Sequence, residues 1–403
     1  MEDHSWKSII FGAGASIILL LVTYFFVTSK TVDFLNRGAP ERVIEFTKPH
    51  VVGRCGMQKD WELTAQAGWS TRNQDTTTLT GVTNGLVFEK NTPTIRKLFA
   101  DEVKISRISN QVEANGSPLQ AEIDLHRATQ QKSNRRPKFA KLSAAQIKYS
   151  NSDKISEVFG GVRIIDGKIT IRADYMRVNH RDKTAVINKN VWATKGQLTL
   201  FCNEMQARPT DEEYDAYGNV RITLVKGKEV TRITADRAIF KQKDKELVEI
   251  YGNVKIVHPR RVAAADAAIY DEKSKVMTLH GNIQTVFEKA ENYLTPKTLA
   301  NLDNPDARKI LKDKIYLTSK EMTIFTESDD ALASGEVLVT QNTQEARANS
   351  AWYRDSEEKL YLSGNASLKK ENKWIGADKV VIYIPDEIFE AVGSVRTRFI
   401  LKK

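Results

Sequence analysis

The sequence predicts an all-β fold: an elongated β-jelly-roll, a folded-over, V-shaped antiparallel sheet built from two-strand repeats of ~29 residues, behind one N-terminal transmembrane helix. Three observations predict the sheet. Apolar residues alternate with polar ones, as where Val220, Ile222 and Leu224 enclose Arg221 and Thr223, the period of a half-buried strand. Glycine, a poor strand former, stands mid-strand at Gly161, Gly218, Gly252, Gly281, Gly335, Gly364 and Gly393, with Asn190 on the missing rung, in steps of 29, 28, 34, 29, 54, 29 and 29 residues. Between these rungs a small residue precedes an acid at Ala173-Asp174, Ala235-Asp236, Ala265-Asp266 and Ala377-Asp378, with Asn203-Glu204, Lys320-Glu321 and Asn349-Ser350 expected in the same phase.

Each repeat therefore has a small-acid strand and a Gly-Asn strand, joined by polar tips such as "KQKDK" and "YDEKSK" or by the glycine turns "TKGQ" and "VKGK". A flat sheet of such hairpins has nothing to cover its apolar face. Glycine and alanine at one phase of every repeat permit aligned bends, so the sheet is expected to crease along its length and enclose an apolar trough.

In chain order, residues 1–8 form a short tail and 9–27 an uncharged run of 19, long enough at ~1.5 Å per residue to cross a ~30 Å hydrocarbon layer. No small-x-small cleavage site follows it, so an uncleaved anchor is expected, then a linker over 28–45. The distribution of Lys and Arg around the run does not settle its orientation. β-Rich segments are expected over 46–165, 166–287 and 315–403, with an insertion or junction at 288–314 that leaves room for a short helix near 306–314. A second polar excursion runs from 114 to 141.

The trough-lining candidates are the apolar members of the Gly-Asn strands: Val162, Ile164, Val220, Ile222, Leu224, Val254, Ile256, Ile283, Val337 and Val339. A register slip of one residue would turn all of them outward. The recurring acid has two readings, a row of glycan-cleaving carboxylates or an inter-strand partner, and its even distribution favours the second. The chain is expected not to be an enzyme, with no catalytic, metal-binding or cofactor-binding residues. It has no phosphate-binding loop and no nucleophile elbow, and its six histidines lack ligand spacing. Cys55 and Cys202 do not make a disulfide framework. A net charge of +10 from 61 basic and 51 acidic residues is spread along the chain, which argues against nucleic acid.

At these residues the sequence resembles the lipopolysaccharide transport family that includes LptA, LptC and the N-terminal domain of LptD. "ITIRADYMRVNHRDKTAVINKNVWATKGQLTLFCNEMQA" and "ITADRAIFKQKDKELVEIYGNVKIV" follow its order of Ala-Asp strand, polar tip and Gly-Asn-Val strand, and "WELTAQAGWSTRNQDTTTLTGVTNGLVFEK" resembles the opening of an LptC domain. The resemblance makes 46–165 LptC-like and 166–287 and 315–403 LptA-like (OstA-like). It implies an inner-membrane-anchored periplasmic bridge that carries lipopolysaccharide or a related lipid, fed by an ABC transporter (LptB/LptF/LptG-like) and docked edge to edge on an LptA-like or LptD-like jelly-roll. LptC and LptA are ordinarily separate chains; their fusion here suggests a built-in bridge. The rival expectations are an envelope scaffold, a β-solenoid with no lipid cargo, and a membrane-tethered glycan-modifying β-helix.

Overall fold

The computed structural model describes residues 44–399 apart from 125–138, 289–312 and short gaps at turns. The predicted anchor at 9–27 and most of the 288–314 insertion lie outside the described residues. Among the described residues no helix is long and apolar enough to cross a membrane.

The chain divides into two compact units, residues 1–217 and 218–403. The first contains β1 (Ile44–Thr47), β2 (His50–Cys55), β3 (Gln58–Ser70), β4 (Thr76–Glu89), β5 (Thr92–Ser106), β6 (Gln111–Asp124), β7 (Phe139–Ser150), β8 (Ile155–Asp166), β9 (Ile169–Asn179), β10 (Thr184–Lys195) and β11 (Leu198–Arg208). The boundary falls inside β12 (Glu213–Lys226). The second unit continues with β13 (Glu229–Lys241), β14 (Leu247–His258), β15 (Arg261–Asp271), β16 (Val276–Phe287), β17 (Ile315–Phe325) and β18 (Ala331–Gln341). It closes with β19 (Gln344–Arg354), a 3-10 turn at Asp355–Glu357, β20 (Lys359–Lys370), β21 (Lys373–Tyr383), β22 (Ile388–Val392) and β23 (Arg396–Phe399).

The architecture is all-β and antiparallel, most strands within a unit pairing with their neighbours in sequence, as β13 with β14 and β14 with β15. The outermost strand of each unit is broken in two. β1 and β2 share β3, and β22 and β23 share β21.

The mid-strand glycines are bulges. Between Tyr251 and Val254 the Gly-Asn strand spends three steps where its partner spends two, from Ala267 to Ala265, and the same excess recurs between His280 and Ile283 opposite Glu321 and Ser319. The extra residue is absorbed by two successive left-handed residues, Gly252 (φ +75°) with Asn253 (φ +50°) and Gly281 (φ +73°) with Asn282 (φ +45°). Such a bulge bends its strand and deepens the twist. Asparagine tolerates this conformation better than any other side chain that carries a Cβ, with aspartate close behind.

The small-acid motif completes the bend. Asn190 Nδ2 donates to Asp174 Oδ2 at 2.8 Å, Asn253 to Asp236 at 2.9 Å and Asn282 to Asp266 at 2.8 Å, each a clasp from one strand to the preceding one. A Cβ on Gly252 or Gly281 would collide with the clasping Asp236 or Asp266 carboxylate. Glycine is therefore required twice over, by φ and by the acid packed against it.

The register corrects two details of the sequence reading. The glycine rung in β8 is Gly160 rather than Gly161, and on the next rung Lys189 takes the glycine place beside Asn190, because Phe159 and Val162 flank the first bulge and Asn188 and Val191 the second. At Asn203-Glu204, Lys320-Glu321 and Asn349-Ser350 the acid's place belongs to the first residue, since Ser319 and Glu321 pair with Ile283 and His280 on either side of Lys320, and Cys202 and Glu204 flank Asn203 likewise. Gly335 faces Lys320 and Gly364 faces Asn349. In β17 and β18 the polarity is exchanged: Lys320 stands for the acid, Glu336 for the asparagine, and the two form an ion pair.

The bend also resets which side chains face inward. In β15, Ala263, Ala265 and Ala268 are buried while Asp266 is exposed and Ala267 half-buried; in β14, Ile250, Val254 and Ile256 are buried across a gap of exposed or half-buried residues. Each strand thus has two inward-facing halves separated by an outward corner. In the second unit these halves form wing 1, with Val254–His258 beside Arg261–Ala265, and wing 2, with Leu247–Tyr251 beside Ala267–Asp271.

Gly252→Ala should lower stability by about 1–2 kcal/mol from the left-handed penalty alone, and by more through the collision with Asp236, measured by urea unfolding. Lys320→Asp should cost several tenths to about 1 kcal/mol by setting a second acid beside Glu336. Adding Glu336→Asn rebuilds the common clasp and should recover that loss.

Candidate functional site

The second unit holds an apolar cavity of ≈ 80 Å³ lined by Phe287, Ile315, Leu317, Met322, Ala331, Ala333, Val339, Ala351, Tyr353 and Leu360. Its walls come from both wings. Phe287, Ile315, Leu317 and Val339 lie on wing 1, joined by the pairings Phe287 with Ile315 and Leu317 with Val339. Met322, Ala331, Ala333, Ala351, Tyr353 and Leu360 lie beyond the crease on wing 2. Side chains from either side of one bend meeting in one space is what a creased sheet requires.

The room is made by alanine. Ala333 sits between Met322 and Ala351 in cross-strand register, and further along the sheet Ala263, Ala265 and Ala268 oppose Ile256, Val254 and Ile250. Small residues thus stand beside large ones across neighbouring strands, Ala333 on the Gly-type strand β18 beside Met322 and the small-acid alanines of β15 beside the Ile and Val of β14, leaving volume that uniform branched residues would fill. Of the ten lining candidates read from the sequence, Val339 alone belongs to this surface. Its alanines, Ala331 and Ala333 on β18 and Ala351 on β19, were not among the residues the sequence singled out.

Of the candidates, Val162, Ile164, Val220, Ile222, Val254, Ile256, Ile283 and Val337 are buried, Val339 is half-buried and lines the cavity, and Leu224 is 44% exposed near the end of β12. In the first unit Val162 and Ile164 are buried, as are Ala140, Leu142 and Ile171. Cys202 is a buried free thiol whose pKa burial pushes up to about 12, so it is unreactive at neutral pH. Among the described residues no group of three or more His, Cys, Asp or Glu could hold a metal ion.

Charge gathers where the wing tips meet. His258 closes β14, Arg260 and Arg261 turn into β15, and Glu229 opens β13, all on the free rim of wing 1. The backbone N–H of Arg260 donates to His258 Nδ1 at 3.3 Å, and His258 Nε2 stands 3.5 Å from Glu229 Oε2. Burial, then the Arg261 guanidinium, hold His258 below its ordinary value of 6.5, against the pull of Glu229 and Asp329 and with the help of Arg260. The imidazole is therefore neutral at pH 7, with Nδ1 free to accept from the backbone.

Comparison with known proteins places these features. A family model described as "LptA/(LptD N-terminal domain) LPS transport protein" matches residues 141–300 and 306–389, more than half of the chain. No curated protein matches. A crystal structure of LptH, described as the LptA homologous periplasmic component of the conserved lipopolysaccharide transport device from Pseudomonas aeruginosa, is similar over 43% of this chain and 95% of LptH, at 12% identity and a TM-score of 0.19.

Because the native state holds His258 less protonated than the unfolded chain does, the stability it contributes is complete above pH 6.5 and is lost as pH falls through the window below that value. Intrinsic-rate-corrected amide exchange at Arg260 and Arg261 should therefore quicken between pH 7 and pH 5, and His258→Gln should flatten that change.

Proposed function

The chain belongs to the LptA/LptD N-terminal domain family of lipopolysaccharide transport proteins, and from that premise we propose that it is a lipid conduit whose trough shields the acyl chains of lipopolysaccharide on their way toward the outer membrane. The observation that carries this reading is the apolar cavity walled by both wings. Burying acyl methylenes at about 0.8 kcal/mol each asks only for apolar lining and no polar recognition.

The finer assignments belong to the same proposal. Residues 9–27 anchor the chain in the inner membrane, with its bulk in the periplasm. Residues 46–165, most of them ahead of the family match, act as an LptC-like receiver from an ABC transporter of LptB/LptF/LptG type. The broken outermost strands support edge-to-edge docking on LptA-like or LptD-like jelly-rolls: Ile44 and Phe46 on β1, and Ile388, Phe389 and Val392 on β22, leave large apolar side chains exposed beside strand edges that carry no partner among the described residues. The chain supplies no chemistry of its own, and the energy for transport comes from the transporter. The scaffold reading draws support from the burial of Val162 and Ile164 among Ala140, Leu142 and Ile171.

Photocrosslinking in cells separates the two. A photoreactive residue at Ile222 or Val339 should yield an adduct with lipopolysaccharide that depends on ATP, and one at Arg221 should not. Absence of lipid adducts at all three sites would leave the scaffold. Ala333→Leu, which fills the cavity, should stabilise the protein by about 0.5–2 kcal/mol while lowering the adduct yield at Val339; in a pure scaffold only the stability would change.

A further inference from the structure

The wing tips of the second unit are tied together by charge. Arg260 Nη1 lies 3.7 Å and Arg261 Nη2 3.8 Å from the carboxylate of Asp329. The arginines stand at the β14–β15 tip, the free rim of wing 1, whereas Asp329 stands in the β17–β18 tip, the free rim of wing 2. These ion pairs therefore cross the mouth of the trough.

They also adjoin the cavity. Arg261 is the cross-strand partner of Phe287, and Ala331 follows Asp329 by two residues; both Phe287 and Ala331 line the cavity. The pairs are longer than hydrogen bonds, and the Asp329 side chain is 37% exposed, so each holds the mouth only weakly. Glu229, 3.6 Å from Arg260, keeps that guanidinium on the rim without spanning the mouth.

We propose that Arg260, Arg261 and Asp329 form an ionic latch across the trough, and that the phosphate headgroup of an acylated amphiphile opens it by replacing Asp329 on the two guanidiniums while its chain enters the cavity. This deepens the conduit reading and rests on it. A phosphate monoester offers more acceptor oxygens and more charge than one carboxylate, and two adjacent guanidiniums suit it. The exchange conserves the pairing of both arginines. Only Asp329 is released, to water, at an exposed rim where that costs little.

The test uses the full chain in nanodiscs and two fluorescent single-chain probes with identical acyl groups, a lysophosphatidic acid and a neutral monoacylglycerol. The wild type should bind the phosphate probe roughly tenfold more tightly. Arg260→Gln with Arg261→Gln should abolish that preference and leave neutral binding unchanged, and Arg260→Lys with Arg261→Lys should restore most of it, which separates charge from folding. Asp329→Asn, removing the competitor, should tighten the phosphate probe several-fold. Full preference in the double glutamine variant, or no gain from Asp329→Asn, overturns the latch. Inorganic phosphate competing as well as the lipid would make this a free-phosphate site and overturn the headgroup role. Binding of neither probe to the wild type would defeat the conduit reading itself.

Discussion

Everything in this molecule depends on a clasp between two polar side chains at the corner of a sheet. An antiparallel sheet one layer thick cannot bury its own apolar face unless it folds, and a strand folds sharply only where its hydrogen-bond ladder is interrupted. The Gly-Asn bulge supplies the interruption and the Asp–Asn hydrogen bond holds it in one geometry. Each clasp is exposed and contributes modestly, on the order of 1 kcal/mol. Its effect comes from alignment: within a unit, bulges at one phase turn separate local kinks into one crease.

The exchange at Lys320 and Glu336 shows which part of the clasp matters. Neither residue matches the motif, and the ion pair runs with reversed polarity, yet the bulge, the register shift and the left-handed Glu336 are all retained. What the corner keeps is the left-handed bulge, closed in β17 and β18 by a polar pair of exchanged sign over Gly335. The recurring acid is thereby accounted for as a structural partner.

The crease also explains where function can reside. Outward corners carry the polar pairs, which leaves the concave side to Val, Ile, Leu and Ala. Alternation of large and small residues across neighbouring strands then leaves space between the wings in the second unit. Opposite wings approach with charged tips at the rim of the second unit. The Arg260, Arg261 and Asp329 cluster stands at such a meeting point.

The sequence by itself determined the strand class and the two-strand repeat, because a period of two and a recurring glycine are local signals written residue by residue. Leu224 shows the limit even there: it keeps the alternation of Val220 and Ile222 but lies near the end of β12, exposed. The one-residue phase errors at Gly161 and Lys320 have the same origin, since a bulge is defined by what the neighbouring strand does opposite it. Only the tertiary structure decided that alanines form the cavity wall and that Asp329 meets arginines nearly seventy residues earlier in the chain. Both depend on how far the two wings close, a property of the summed bends and twist that no single repeat encodes.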